Sequence, residues 1–290
     1  WIGIPFSAMY IIALMENSLL FIIIKSEPCL HEPMHTFLFM LGATDTALST
    51  SIVPEMLRIF WFHFQEVNLD ACIAQTYFLH GLSLTQSGVL LDMAFDHFTA
   101  ICNPLGCTSV LTNTKIIKIR LEILIKSFML IIRSFIFIAP IIHLKCFRSC
   151  HSYIIFHSFC LHQDLLRLSC SNIRFNSFYA LALVICTLLF DSILILESYI
   201  LILHVLAILS PEEWFKSLQT CVSHICAVLF FYIPIISLTV VHHFGKHLSS
   251  VVHVLMGNIC ILFPSLMNFK IYSKTQQMRT RIQKWFSMKR

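Results

Sequence analysis

Seven long apolar runs constrain the fold of this chain more than any other feature of its sequence. A helix needs about 20 mainly apolar residues to cross a membrane, and each run is at least that long. They cover residues 3–24, 36–61, 72–100, 121–144, 175–203, 218–241 and 248–272. Helices satisfy their own backbone hydrogen bonds in lipid, so we predict an all-α integral membrane protein. Residues 1–290 are predicted to form a single domain, a seven-transmembrane helix bundle.

Composition supports the membrane class and argues against two others. The chain is 57% hydrophobic and 12% charged, whereas soluble domains carry about 25% charged residues. Its net charge of +5 is modest and concentrated at the C-terminus, so nucleic acid is not an expected partner. Metalloprotease, phosphate-loop, nucleophile-elbow and dinucleotide-binding motifs are all missing from the sequence, so no enzymatic activity is expected.

Basic residues between the apolar runs predict the orientation. With the N-terminus outside, eleven lysines and arginines fall on the cytoplasmic side and five on the outer side. This excess favours an outer N-terminus and a cytoplasmic C-terminus. The tail at 273–290 has six basic residues interleaved with apolar ones, which is typical of a short amphipathic helix on the anionic inner leaflet. A frayed basic tail is the alternative.

The segment Met93–Leu105 reads Met-Ala-Phe-Asp-His-Phe-Thr-Ala-Ile-Cys-Asn-Pro-Leu. It resembles the signature Met-Ala-x-Asp-Arg-Tyr-Val-Ala-Ile-Cys-x-Pro-Leu of olfactory receptors, which are rhodopsin-like G-protein-coupled receptors. Segments 33–38 and 216–224 are similar to further motifs of that family, and the longer inner-face segments resemble its class I, fish-like subgroup. The resemblance implies an odorant receptor in the plasma membrane that activates a stimulatory G protein.

Cysteines in the loop before the fifth run suggest disulfides, because this loop is predicted to be extracellular. The resemblance implies a bridge between Cys72 and Cys160 and a second between Cys146 and Cys170. The same loop contains His151, His157 and His162, which could bind zinc or copper. Their spacing matches no standard zinc finger, so disulfides with solvated histidines are favoured and no metal site is expected.

Polar residues inside the apolar runs are the candidate functional groups, since they are costly in lipid and usually face the bundle interior. Asp45 lies in the middle of the second run, with Asn17, Gln86, Asn258 and Asn268 as plausible partners by depth. Two interpretations stay open: a switch network that holds a sodium ion or water, and a neutral, hydrogen-bonded structural acid.

The resemblance also implies a switch at the inner face and a ligand pocket in the outer half. The switch residues are Asp96, His97, Asn268 and Tyr272. The pocket residues are His80, Gly81, Ser83, Leu84, Phe190, Ile193 and His243. Class I receptors commonly accept small carboxylic acids. His243 stands where an arginine often pairs with the acid, and histidine is only partly charged near neutral pH.

Several residues depart from the family pattern. His97 replaces an arginine, Glu16 a glycine, and Phe269 the proline that bends the last helix. Lys270 adds a charge close to lipid. These departures leave a second hypothesis open, a degraded receptor that does not signal. A small-solute transporter is less favoured, because no inverted repeat is visible.

Overall fold

The computed structural model of the protein describes residues 3–26, 33–62, 69–102, 160, 174–206, 211–244 and 250–273. Apart from the single residue Cys160, all of these residues lie in six α-helices. The helices are α1 (Gly3–Ser26), α2 (Pro33–Phe62), α3 (Leu69–Cys102), α4 (Arg174–Leu206), α5 (Pro211–Phe244) and α6 (Ser250–Ser273). They cover six of the seven predicted runs. The fourth run, at 121–144, and the predicted tail helix after Ser273 lie outside the described residues.

Five of the six helices contain a stretch that is long and apolar enough to cross a membrane. These stretches are Gly3–Lys25, Thr36–Arg58, Val184–His204, Ser217–Val241 and Val254–Ser273. The 34-residue helix α3 is not among them. Its polar side chains explain why: Thr76, Gln86 and Ser87 are buried inside the bundle rather than facing lipid. A central helix can be less apolar than its neighbours because protein groups satisfy its polar atoms.

The helix ends extend beyond the apolar runs where the sequence supplies good end residues. Helix α5 begins at Pro211, seven residues before the apolar run at 218–241. Proline suits the first helical turn because its missing N–H would have no partner there. Acidic residues such as Glu212 and Glu213 at the next two positions favour a helix start, since the N-terminal end of the helix dipole is positive. Beyond the first turn, the described helices contain three prolines, Pro54, Pro234 and Pro264.

Helix α3 lies at the centre of the described bundle, packed against α2, α4 and α5. The largest apolar core joins side chains of five helices, among them Leu41, Leu90, Ile195, Phe231 and Tyr272. Large apolar side chains also cover the outside, for example Phe178, Leu196 and Phe215. A soluble monomer rarely exposes so much contiguous apolar surface, whereas lipid tails would cover it.

Candidate functional site

A buried carboxylate connects three helices in the middle of the bundle. Asp45 on α2 is 1% exposed. One carboxylate oxygen accepts a hydrogen bond from the amide of Gln86 on α3, and Asn268 Nδ2 on α6 donates to the other at 2.9 Å. Both oxygens of Asp45 therefore have protein donors, and such pairing is how a polar group is accommodated in a low-dielectric interior. Asp45, Gln86 and Asn268 together form the mid-bundle network.

Asn17, which the sequence suggested as a third partner of Asp45, belongs to a neighbouring contact. Its Nδ2 donates to the Ala13 carbonyl at 2.9 Å and to Ser265 Oγ at 3.2 Å. Asn17 therefore links α1 to α6. Gly42, one turn before Asp45, allows this close packing: a Cβ atom there would lie 3.1 Å from Asn17 Oδ1. Of the four predicted partners, Gln86 and Asn268 contact Asp45 directly. Asn17 lines the adjacent helix interface, and Asn258 donates to the Val254 carbonyl of its own helix at 2.9 Å.

A second buried cluster joins α3, α4 and α5. Ser87 Oγ donates to the carboxylate of Asp191, and it lies 2.8 Å from the Tyr232 hydroxyl. Asp191 is fully buried. Sequence reasoning did not single out these three residues. The sequence of α4 could have indicated Asp191, because Asp191, Ser198 and Tyr199 recur at helical spacing and therefore share one buried face.

His97 is buried at the inner end of α3, with 6% of its surface exposed. Its ring packs edge-to-face against His224 of α5, with centroids 5.3 Å apart. His224 Nδ1 lies 2.5 Å from the Tyr199 hydroxyl of α4. The predicted switch residue His97 thus contacts His224, which in turn contacts Tyr199. These three residues form the inner cluster, and the sequence had indicated only His97 as a switch residue.

The other predicted switch residues lie on α3 and α6. Tyr272 is buried, and its hydroxyl donates to Met93 Sδ of α3 at 3.9 Å. Asn268, one turn earlier on α6, binds Asp45 in the mid-bundle network instead. Asp96 is half-buried beside His97. The inner face and the mid-bundle network are therefore connected through two helices, α3 and α6.

The outer end of α3 carries the predicted disulfide between Cys72 and Cys160, which the structure confirms. Side chains next to Cys72 hold the backbone of Cys160. The Cys160 N–H donates to Gln75 Oε1 at 2.9 Å, and Thr76 Oγ1 donates to the Cys160 carbonyl at 3.2 Å. The predicted pair Cys146–Cys170 lies outside the described residues.

The predicted pocket residues fall into three groups. His80, Gly81 and Ser83 are half-buried on α3, and Leu84 beside them is buried. Phe190 and Ile193 lie on the outer surface of α4, 58% and 61% exposed, because the inward face of that helix carries Asp191. The structure does not bring these two side chains to α3. His243 lies near the end of α5, and its side chain is outside the described part.

Two of the unusual charges lie near one another, although they are far apart in sequence. Glu16 of α1 is half-buried, and the positive charge of Lys270 on α6 acts on it. Glu16 Oε2 is buried and makes no hydrogen bond. Opposite charges inside a membrane stabilise each other more strongly than in water, so these two departures from the family pattern compensate in part.

Comparison with known proteins decides the family. A family model described as "olfactory receptor" matches residues 6–289. The chain belongs to the olfactory receptor family. It is 60% identical to human olfactory receptor 51V1 over all of this chain and 89% of that protein. It is 45% identical to human olfactory receptor 51B5 over all of this chain and 92% of that receptor.

The fold agrees with this family. The crystal structure of squid rhodopsin superimposes with a TM-score of 0.70 over 99% of this chain and 84% of that chain, at 15% identity. The predicted all-α, seven-helix receptor fold is therefore confirmed, as is the class I, rhodopsin-like grouping. As an olfactory receptor, the protein is a multi-pass plasma membrane protein and a signalling receptor rather than an enzyme.

Proposed function

We propose that the protein binds a small odorant in the outer half of the bundle and thereby activates a stimulatory G protein at the inner face. One observation carries this proposal. Helix α3 presents His80 to the outer half, Ser87 to the cluster with Asp191 and Tyr232, and His97 to the inner cluster. At about 1.5 Å per residue these positions lie about 10 and 25 Å along one helix.

The mechanism follows from how these clusters are linked. A ligand beside Ser83 and Leu84 lies one turn from Ser87, whose hydroxyl contacts both α4 and α5. Binding that favours a different arrangement of this cluster would move α5 relative to α3. The inner contact between His97 and His224 joins the same two helices, so it would open with them. The ligand shifts this equilibrium only by its difference in affinity between the two states.

The proposed ligand is small and apolar or weakly acidic. His80 and Ser83 supply polar contacts, while Gly81 leaves space and Leu84 adds apolar surface. We include His243 as the partner of a ligand carboxylate. Histidine binds an acid best when it is protonated, so a carboxylic acid should bind better as the pH falls through the ordinary range of histidine.

The proposed orientation has the N-terminus outside and the C-terminus in the cytoplasm. The disulfide at the start of α3 supports it, because disulfides persist on the oxidising side of the membrane. A disulfide between Cys146 and Cys170 and a sodium ion beside Asp45 remain predictions. Such an ion would replace one of the two amide donors, so Asp45→Asn should remove any sodium dependence of the response.

A non-signalling receptor is the competing function, and one observation favours it. Where the family signature has arginine, the buried His97 leaves Nε2 without a hydrogen bond. Surface expression with a cyclic AMP readout, screened against fatty acids, aldehydes and alcohols, separates the two. We expect a response that His97→Arg changes little. Surface expression without any response, followed by a large gain in His97→Arg, would favour the non-signalling receptor.

The same assay tests the pocket with a matched pair of variants. His80→Ala should raise the odorant concentration needed for half-maximal response at least tenfold, a loss of about 1.4 kcal/mol of binding. Phe190→Ala is the control, because its ring faces outward on α4 and should leave that concentration unchanged. Equal losses in both variants would contradict a pocket built on α3.

A further inference from the structure

Two imidazoles at the inner end of the bundle have unused nitrogen atoms. His97 on α3 and His224 on α5 are 6% and 0% exposed, and within the described helices Nε2 of each is buried and has no hydrogen bond that meets the usual geometry. A buried polar atom without a partner destabilises the folded state, so two such atoms on contacting rings indicate a site that a ligand can fill. We propose that His97 and His224 together bind one divalent transition-metal cation of the zinc class, which links α3 to α5.

The separation of the two rings fits such a site. Zinc–nitrogen bonds are about 2.0–2.1 Å, so each ring centroid would lie about 3.2 Å from the metal. At a tetrahedral angle the two centroids are then about 5.2 Å apart. The observed distance between the centroids is 5.3 Å. The spacing of the two rings therefore fits one shared metal ion, and both rings would turn from their edge-to-face arrangement so that the two Nε2 atoms face it.

Tyr199 prepares His224 for this role. Its hydroxyl lies 2.5 Å from His224 Nδ1. When Nδ1 carries the proton and donates to the Tyr199 oxygen, Nε2 has a free lone pair, which is the form that binds metal. The backbone of Leu90 also acts on the His224 ring as a hydrogen-bond partner, and a metal bound at Nε2 would have to displace that interaction.

The donor set selects the class of cation. Imidazole nitrogens suit Zn²⁺, Cu²⁺ and Ni²⁺, whereas Mg²⁺ and Ca²⁺ require oxygen ligands. Within the described helices no three histidine, cysteine or acidic side chains converge on one point. The described helices therefore supply two ligands, and water would complete the coordination, which gives a site of moderate affinity from which the metal can dissociate.

The consequence for signalling rests on the proposed function. If α5 must move away from α3 to admit a G protein, a metal bound to both helices opposes that movement. The family signature has arginine in place of His97, and a guanidinium cannot give up its proton to bind a metal. Inhibition by zinc would thus be a property of this chain that the arginine form of the receptor lacks.

Thermal unfolding of the purified full-length receptor in detergent tests the binding, with zinc chloride against EDTA. At zinc tenfold above the dissociation constant, we expect the midpoint to rise by about 3 °C. The rise should disappear in His97→Arg, His97→Phe and His224→Gln. It should persist in His204→Gln, whose side chain is exposed at the end of α4, and in Cys221→Ala, one turn from His224. No rise, or an equal rise in all five variants, would overturn the site.

A cyclic AMP assay in permeabilised cells tests the regulation separately. Zinc should lower the odorant response of the natural chain at least fivefold and leave that of His97→Arg unchanged. A zinc-dependent midpoint in a receptor that never signals would support the metal site and reject the proposed function. Normal signalling that zinc leaves unchanged, in a receptor that binds zinc through both histidines, would overturn the regulation.

Discussion

The mid-bundle network and the inner cluster are both buried and polar, yet they differ in how completely their atoms are paired. Asp45 has a donor on each carboxylate oxygen, from Gln86 and Asn268. Among the described residues, His97 makes a ring contact with His224, and its Nε2 has no hydrogen bond. Asn268 follows the family motif, whereas His97 departs from it. A residue that departs from the family pattern can therefore pack closely and still have a buried polar atom without a hydrogen bond.

The physical reason lies in the size and reach of the side chains. An arginine has five N–H donors on a long stem and can reach partners on several helices. Histidine is shorter and, when neutral, has one donor and one acceptor. The ring of His97 therefore fills space against His224 without reaching further polar groups. In the mid-bundle network the side-chain amides of Gln86 and Asn268 donate to the carboxylate between them, so both oxygens of Asp45 accept a hydrogen bond.

The largest expected effect follows from removing the centre of the paired network. Asp45→Leu should lower the free energy of unfolding by about 2–5 kcal/mol, because the amides of Gln86 and Asn268 would each lose a buried acceptor. Asp45→Asn is the matched control and should cost less, since it keeps the shape and one oxygen. Thermal unfolding in detergent measures both. Equal costs would mean that the carboxylate contributes through its volume alone.

Much of this architecture could be predicted from the sequence, because hydropathy reports the membrane spans directly. The predicted run at 3–24 and helix α1 at Gly3–Ser26 nearly coincide. Hydropathy does not show where a helix continues into water, so it missed the start of α5 at Pro211. It also carries little information on helix rotation. Phe190 and Ile193 were therefore assigned to the pocket, although Asp191 occupies the inward face of α4.

The sequence also did not show which of the unusual residues lie close to one another in the folded bundle. Glu16 and Lys270 lie 254 positions apart, and each alone was expected to be a cost. Only the packing of α1 against α6 brings their charges together. Similarly, the ring contact of His97 with His224 depends on where α3 and α5 cross. Residue type and depth suggested candidates for partners, and the structure selected among them.

Glu16 and Lys270 are intermediate between the two clusters, because the charges interact while Glu16 Oε2 has no hydrogen bond to a described residue. Lys270→Met should lower stability by about 1 kcal/mol, because it leaves the acid of Glu16 without a nearby opposite charge. In Glu16→Gln/Lys270→Met the combined loss should be smaller than the sum of the single losses by about 0.5–1 kcal/mol. A double-mutant cycle on unfolding midpoints measures this coupling. Strict additivity would show that the two charges do not interact.

Close packing beside the paired network predicts a smaller effect. In Gly42→Ala the new methyl group would meet Asn17 Oδ1 at 3.1 Å and Phe21 at 3.2 Å, so α1 must shift slightly and about 1 kcal/mol should be lost. Gly81→Ala is the control, because nothing lies within 4 Å of its new methyl group. Alanine is the better helix former, so this variant should gain about 0.5–1 kcal/mol. Losses in both would contradict a specific role for the α1–α2 contact.

The smallest effect should come from the unpaired site itself. His97→Phe keeps a planar ring against His224 and removes the nitrogen atoms, so no buried polar atom of residue 97 is left without a partner. Apolar replacement of an unsatisfied group is close to neutral or stabilising, and the change in unfolding free energy should stay within about 1 kcal/mol. Thermal unfolding beside Asp45→Leu, in the same detergent without metal, provides the measurement. A loss as large as that of Asp45→Leu would mean that His97 has a polar partner, and the two clusters would then not differ in how completely their polar atoms are paired.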